Sequence, residues 1–337
     1  MKEYGGYIEL DTYYGKEYHP DALSLNSART ALRFLIRIRG IKKLYLPAFC
    51  CSTVWEACRE EGISWEFYSV DSRFRPDFRK TLAEGEWLYI VNLYGTLTDA
   101  QLEHYAQTYQ RIIADYTHAF FRRPLPTVDT LYSCRKFFGV PDGAYLSLGE
   151  DKENSEALAL YRALPLDISC ERMHFLLGRY EQPASKFYGE YAENNELFSH
   201  EPIKQMSVLT HNLLRGIDYD RACKRRTDNF AALHDTLGKW NRLELPEIRG
   251  AYAYPFWPDS DLNNHEAPSG KTLRNMLIEQ HIYIPVLWPE VITQEASGPE
   301  ERRMAENILP LPIDQRYTEI DMLEILSVLT DCMLSYV

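Results

Sequence analysis

Short apolar segments alternate with amphipathic segments between residues 22 and 133, and this alternation restricts the fold more than any other feature of the chain. The apolar segments have the length of strands: Lys43–Leu46, Ile63–Val70, Trp87–Asn92, Arg111–Asp115 and Thr127–Ser133. Helical segments are predicted between them, at Thr53–Glu61 and Thr98–Tyr109. Strands that alternate with helices are typical of a parallel sheet covered on both faces. The sequence therefore predicts a three-layer α/β/α fold with a mostly parallel sheet.

The first strong helical pattern has both of its ends marked. Apolar residues recur at i, i+3, i+4 and i+7 from Ala31 to Ile38, and arginines occupy another face. Asn26-Ser27 supplies residues that cap helices at their N-terminus, and Gly40 is a residue that commonly ends them. The pattern predicts an amphipathic helix between these two signals.

The length of 337 residues favours a large domain followed by a smaller one. We predict an N-terminal arm at residues 1–20, a large α/β domain at 21–205, and a helical connection with a small α+β domain at 206–337. In that last part, Ser207–Leu237 and Met322–Leu334 have helical patterns, whereas Leu243–Pro258 and Ile282–Trp288 look like strands.

The net charge of −12 argues against general nucleic-acid binding. No apolar run reaches the ~20 residues of a membrane span, and the chain starts without the apolar core of a signal peptide. The seven scattered cysteines suit a reducing compartment, and no metal-ligand spacing is present. We therefore expect a cytoplasmic protein with no membrane partner, no nucleic-acid partner and no metal.

Asp115 and Lys136 follow two successive predicted strands, and ligands of parallel sheets gather outside such strand ends. A lysine among apolar residues loses its proton more readily, which makes Lys136 a candidate Schiff-base nucleophile. An amine and a carboxylate at neighbouring strand ends are what a pyridoxal phosphate site needs: the lysine binds the aldehyde, and the carboxylate keeps the pyridine nitrogen protonated.

Further polar residues complete this hypothesis, although each also has an ordinary structural interpretation. Ser27 and Thr30 lie at the start of the first helix, where free N–H groups bind anions, or they simply cap the helix. His118 is a donor to the phenolic oxygen of a pyridoxal ring, or a loop histidine. Ser133 contacts the phosphate, or only ends a strand.

Several motifs in order along the chain resemble those of the DegT/DnrJ/StrS sugar aminotransferases, which are pyridoxal phosphate enzymes of the aspartate aminotransferase fold. The motifs are Asn26-Ser-Ala-Arg-Thr-Ala31, Leu46-Pro-Ala-Phe-Cys-Cys-Ser52, Asn92-Leu-Tyr-Gly95, Ala114-Asp-Tyr-Thr-His118, Ser133-Cys-Arg-Lys136, Asp142-Gly-Ala144 and Ile308 to Tyr317. The resemblance covers nearly the whole chain.

The resemblance implies a role for each matched residue. Lys136 is the catalytic lysine, Asp115 pairs with the pyridine nitrogen, and His118 contacts the ring oxygen. The phosphate is held by Ala28, Arg29, Thr30 and Ser133. The family works as homodimers that pass an amino group, commonly from glutamate, to a keto sugar attached to a nucleotide.

The motifs also depart from the family pattern. The aromatic residue that stacks on the cofactor ring falls at or near Cys51, with Phe49 two residues away. This departure leaves open a pyridoxal phosphate-binding protein without transaminase activity. A third alternative is an α/β protein in which Lys136 and Asp115 form a buried ion pair.

Overall fold

A computed structural model describes residues 4–149, 155–259, 261–262, 265–266 and 268–334. The strands in these residues are β1 (Leu23–Leu25), β2 (Lys43–Pro47), β3 (Ser64–Val70), β4 (Pro76–Asp77), β5 (Glu86–Val91), β6 (Ile112–Asp115), β7 (Asp129–Ser133), β8 (Ala144–Ser147), β9 (Tyr254–Phe256), β10 (Asp261–Leu262), β11 (His265–Glu266) and β12 (Leu309–Leu311). The α-helices are α1 (Ala28–Arg39), α2 (Ser52–Glu60), α3 (Asp99–Tyr109), α4 (Ser155–Ala163), α5 (His174–Glu181), α6 (Tyr188–Leu197), α7 (Val208–Arg215), α8 (Tyr219–Leu237), α9 (Gly270–Glu279), α10 (Glu290–Thr293), α11 (Pro299–Asn307) and α12 (Glu319–Leu334).

The main sheet has eight strands in the order β1-β8-β7-β6-β5-β2-β3-β4. The five strands from β7 to β3 in this order are parallel, and antiparallel strands flank them on both sides. Three helices pack on this sheet: α1 contacts β7 and β8, α2 contacts β3, and α3 contacts β6. The predicted fold class, a mostly parallel sheet within an α/β frame, is confirmed.

Local signals placed the first helix correctly. Ser27 caps α1, since its side chain accepts a hydrogen bond from the N–H of Thr30, and Gly40 ends the helix with φ 58°. A left-handed backbone conformation is easy for glycine because it has no Cβ. The predicted helix after Cys51 begins one residue earlier than expected, at Ser52, with Cys51 as its N-cap.

Two strand predictions in the C-terminal part need correction. Residues 282–288 form no strand, because Pro285 has no N–H to donate and Trp288 has a φ of 57°, which is not extended. Of residues 243–258, only Tyr254–Phe256 forms a strand, which pairs with β12. The helical region after Ser207 divides into α7 and α8 around Gly216.

The C-terminal part has its own hydrophobic core. The helices α8 and α12 pack against each other, and α9 packs on α12. Their buried apolar residues enclose the two-stranded β9/β12 sheet: Phe230, Leu233, Leu273, Leu277, Leu309, Met322 and Leu329 belong to this core. This part follows the large sheet as predicted, but the exact domain boundaries stay a prediction. Within the described residues, no helix is both long and apolar enough to cross a membrane.

The N-terminal arm runs without helix or strand from Tyr4 to Asp21. Its first part is exposed, whereas its last residues are anchored: His19 is buried, and Tyr145 donates a hydrogen bond to Glu17. Farther out, the side-chain amide of Asn212 donates to the carbonyl of Asp11. The arm is therefore attached at its C-terminal end.

Candidate active site

The carboxylate of Asp115 is buried and has a fixed orientation. Asp115 is the last residue of β6, and its register partners are Val91 on β5 and Leu131 on β7. The hydroxyl of Tyr89 donates to Oδ2 at 2.8 Å, and the N–H of Thr117 donates to Oδ1 at 2.8 Å. Both oxygens therefore have a donor before any ligand binds, and the carboxylate is aimed by groups that do not titrate near neutral pH.

Lys136 lies in the turn that follows β7, where the N–H groups of Phe137 and Phe138 bond to the carbonyl of Cys134. Its Nζ lies 5.8 Å from the centre of the Tyr252 ring. Burial lowers the pKa of Lys136 below its ordinary value, while the Asp115 carboxylate acts in the opposite direction. A buried amine with a lowered pKa is more often present as the neutral, nucleophilic form.

No salt bridge joins Lys136 to Asp115 or to any other carboxylate in the described part of the chain, and its Nζ makes no hydrogen bond there. A buried structural ion pair normally shows close contact and further hydrogen bonds. The geometry therefore gives no support to the alternative in which these two residues merely form such a pair, and that alternative stays a prediction to be tested.

His118 is almost fully buried three residues after Asp115. Its ring packs parallel to Tyr252, with centroids 4.3 Å apart, and parallel to Trp288, at 5.5 Å. Neither ring nitrogen has a hydrogen-bond partner among the described residues. Burial holds the pKa of His118 well below its ordinary value, and the charge of Lys136 acts in the same direction. The imidazole is therefore neutral near pH 7, with one donor and one acceptor unsatisfied.

Two aromatic residues beside His118 have strained backbones. Trp288 and Tyr94 have φ values of 57° and 54°, a region that bulky residues seldom adopt. Both are buried, and the Tyr94 ring lies 5.6 Å from that of His118. Strain of this kind persists only where the surrounding packing imposes it, and it concentrates at functional sites.

Cys51 and Phe49 come from the turn between β2 and α2. Cys51 is close enough to Lys136 to influence the lysine pKa. The Phe49 ring packs parallel to Phe74 at 6.0 Å and edge-on to Trp288 at 5.1 Å. The fold thus brings Cys51 and Phe49 to the group formed by Asp115, His118 and Lys136, which we call the lysine cluster.

The residues predicted at the start of α1 are engaged with one another. The Thr30 hydroxyl donates to Oδ1 of Asn26 at 2.6 Å and lies 3.0 Å from the Ser27 hydroxyl. The guanidinium of Arg29 pairs with Glu56 at 3.0 Å. What this helix end offers an anion is therefore its backbone, at Ala28 and Arg29, rather than these side chains.

The start of α1 is tied to the segment that carries the lysine. The N–H of Gly143 donates to the carbonyl of Asn26, and the carbonyl of Gly143 accepts from the N–H of Cys134. Ser133, the last residue of β7, pairs with Ala144. Ser133 and the N-terminus of α1 are thus held on either side of the same short segment.

Three residues that shape the site were not among the predicted site residues. Tyr89 orients Asp115, and its signal was a phenolic hydroxyl in the fully buried part of strand β5. Tyr252 and Trp288 pack on His118, although they are distant from it and from each other in the sequence. No local pattern brings these last two together with His118.

Solved structures share this fold over nearly the full chain. Spr1654 of Streptococcus pneumoniae, in its PMP form, superimposes with a TM-score of 0.68 at 13% identity, over 97% of this chain and 94% of that one. The sugar aminotransferase CalS13 of Micromonospora echinospora gives 0.65 at 14% identity, over 93% and 87% of the two chains. A DegT DnrJ EryC1 StrS aminotransferase of Brucella abortus gives 0.61 at 13% identity, over 93% and 86%. No protein-family model matches the sequence, and no curated protein matches it. At these identities the likeness establishes the fold.

Proposed function

We propose that the protein is a pyridoxal phosphate-dependent aminotransferase, which transfers an amino group from glutamate or another amino acid to a keto sugar or a nucleotide-linked keto sugar. The observation that carries the proposal is the lysine cluster, in which an unpaired amine, an oriented carboxylate and an unsatisfied imidazole meet at the ends of parallel strands. The fold shared with sugar aminotransferases supports the choice of substrate class.

The residues present fit this cofactor. Among the described residues, the two ring nitrogens of the buried His118 have no hydrogen-bond partner, and the Nζ of the part-buried Lys136 has none either. Burial of a polar group without a partner is unfavourable. A polar ligand that contacts both groups removes this penalty. When bound, pyridoxal phosphate supplies an aldehyde that reacts with the lysine and a ring that withdraws electrons from the substrate carbon.

Each residue of the cluster then has a defined task. Lys136 would offer its Nζ as the neutral amine that its lowered pKa favours, and the same atom would hold and return a proton. Asp115, aimed by Tyr89 and the N–H of Thr117, accepts a hydrogen bond from a protonated ring nitrogen. His118 is neutral and donates one hydrogen bond to an oxygen of the ring.

The remaining predicted contacts belong to the same proposal. Ser133 and the backbone at Ala28 and Arg29 hold the phosphate, with the positive end of the α1 dipole towards it. The stacking position expected near Cys51 carries no ring, and the aromatic residues beside the cluster are instead Trp288, Tyr252 and Phe49.

The proposal includes a cytoplasmic homodimer. The outer part of the arm exposes apolar side chains, with Tyr7 and Ile8 each 94% exposed. Exposed apolar residues grouped on one segment are typical of a contact surface. We propose that this exposed part of the arm contacts a second copy of the chain.

The decisive experiment is the absorbance spectrum of the purified protein with pyridoxal phosphate, before and after glutamate is added, with Lys136→Ala as the control. We expect a visible band that depends on Lys136 and is lost when glutamate is added. Borohydride reduction followed by peptide mapping should place the pyridoxyl group on Lys136.

The other outcomes separate the alternatives. A band that ignores glutamate and every other amino donor favours a binding protein without transaminase activity. If the wild-type protein shows no band and no saturable binding of pyridoxal phosphate, the proposed function is wrong.

A further inference from the structure

Arg135, the residue before Lys136, has a part-buried guanidinium without a carboxylate partner in the described residues. Its Nη2 donates to Oδ1 of Asn195 on α6, and its Cζ lies 4.3 Å from the centre of the Phe198 ring. Other shielded arginines have fuller sets of partners. Arg29, Arg33 and Arg39 pair with carboxylates, whereas Arg226 and Arg274 donate to several backbone carbonyls. Arg135 differs from both groups because, among the described residues, its guanidinium has a single hydrogen-bond acceptor and no carboxylate.

Arg172 provides an internal comparison. Its guanidinium contacts the same Phe198 ring, with Cζ 5.0 Å from the ring centre, but it is paired with Asp167. Two guanidinium groups therefore contact one ring, and of the two only that of Arg172 has a carboxylate partner among the described residues. Burial lowers the pKa of Arg135 to about 10, because the charged form is poorly solvated. The site favours a bound anion.

The position of Arg135 shows which anion fits. The backbone carbonyl of Phe198 also accepts a hydrogen bond from the Arg29 guanidinium at 3.4 Å, and Arg29 is the second residue of α1, so Phe198 contacts side chains from both the lysine turn and the first turn of α1. Ser133 lies two residues before Arg135, at the end of β7. A guanidinium, a hydroxyl and a helix N-terminus are the groups that bind phosphate in proteins.

We infer that Arg135 binds the phosphate group of the cofactor, together with Ser133 and the N-terminus of α1. The inference rests on the proposed function and adds a residue to it. The planar guanidinium supplies two N–H donors towards a phosphate while Asn195 and Phe198 hold the side chain in place. Arg135 compensates the phosphate charge from the same turn that presents Lys136.

The test compares pyridoxal phosphate with pyridoxal, which has the same ring and aldehyde but no phosphate. Dissociation constants are measured by equilibrium dialysis for the wild type, Arg135→Gln, Arg135→Lys and Arg172→Gln. We expect Arg135→Gln to weaken pyridoxal phosphate binding about 10- to 100-fold, as for loss of charge-assisted hydrogen bonds, while pyridoxal binding changes less than about twofold. The affinity of Arg135→Lys for pyridoxal phosphate should lie between those of the wild type and Arg135→Gln, because lysine keeps the charge but not the paired donors.

Arg172→Gln is the matched control, because it removes a guanidinium from the same ring while Asp167 keeps Lys204 as a partner. Arg172→Gln should leave the dissociation constants of pyridoxal phosphate and pyridoxal within about twofold of the wild-type values. A second readout avoids the lysine chemistry altogether: inorganic phosphate should raise the melting temperature of the wild type and of Lys136→Ala, but not that of Arg135→Gln.

Two results would overturn the inference. One is an equal loss of pyridoxal and pyridoxal phosphate affinity in Arg135→Gln, which would show a purely structural role. The other is unchanged pyridoxal phosphate affinity in that variant. If the wild type itself binds no pyridoxal phosphate, the proposed function fails first. If Arg135→Gln does not fold, Arg135→Lys decides: an affinity ratio between the two ligands equal to that of the wild type would contradict the inference.

Discussion

The start of α1 and the lysine cluster both lie beside the parallel strands, but they treat polar groups in opposite ways. At the α1 cap, formed by Asn26, Ser27 and Thr30, the hydroxyls and the amide oxygen bond to one another or to the backbone. In the lysine cluster, the ring nitrogens of His118 and the Nζ of Lys136 have no hydrogen-bond or ion-pair partner in the described part of the chain. The first arrangement stabilises the fold, whereas the second leaves binding capacity for a ligand at the expense of stability.

The largest expected effect comes from the α1 cap. Thr30→Val removes a hydroxyl that donates to Asn26 and accepts from the N–H of Ser27, and Thr30 is fully buried. Leaving those buried groups unsatisfied should lower the free energy of unfolding by about 2–3 kcal/mol. Urea denaturation measures this loss. Thr30→Ser, which keeps the hydroxyl, is the control, and an equal loss in both variants would mean that packing dominates.

The next effect has the opposite sign. His118→Phe replaces an imidazole whose two nitrogens lack partners in the described residues with an apolar ring, so at pH 7 it should raise the free energy of unfolding of the cofactor-free protein by about 1–2 kcal/mol. Binding of pyridoxal phosphate should weaken at the same time. His118→Leu guards against a poor fit of the larger ring. Loss of stability in both variants would show that the imidazole is satisfied in solution.

The pH dependence of the stability difference between His118→Phe and the wild type gives a sharper test. Because burial lowers the pKa of His118, the unfolded chain binds a proton below about pH 6.5 that the folded chain does not. Acid therefore destabilises the wild type through this group, by about 1.4 kcal/mol per pH unit below 6.5. The stability advantage of His118→Phe should grow by that amount between pH 6 and pH 5. A constant difference over this range would indicate that His118 titrates normally.

The smallest expected change is at Lys136. Lys136→Met removes an amine that forms no ion pair in the described residues, so the free energy of unfolding at pH 7 should change by less than about 1 kcal/mol. Removing one member of a buried ion pair would instead lower it by about 3–5 kcal/mol. Chemical denaturation of the cofactor-free protein distinguishes these values. A loss of the larger size would restore the ion-pair interpretation, and the comparison between the two regions would then fail.

The sequence was a good guide wherever the signal was local. Ser27 and Gly40 marked the ends of α1, and the apolar runs located β2, β3, β5, β6 and β7 to within a few residues. Asp115 and Lys136 could be related because parallel strands end at the same edge of a sheet. Strand prediction was poor between residues 243 and 288. Of Ile282–Trp288, Ile284 and Trp288 are buried in the core but Tyr283 and Val286 are exposed, and the segment forms no strand.

The sequence by itself determined the α/β frame, the capped α1 helix, and the placement of an amine and a carboxylate at neighbouring strand ends. Only the tertiary structure decided that Lys136 and Asp115 form no salt bridge in the described part of the chain, that Tyr89 orients Asp115, and that Tyr252 and Trp288 pack on His118. The physical reason is that caps and periodic patterns act within a few residues. Burial, ring packing and the absence of a counter-charge depend on segments that meet only when the chain has folded.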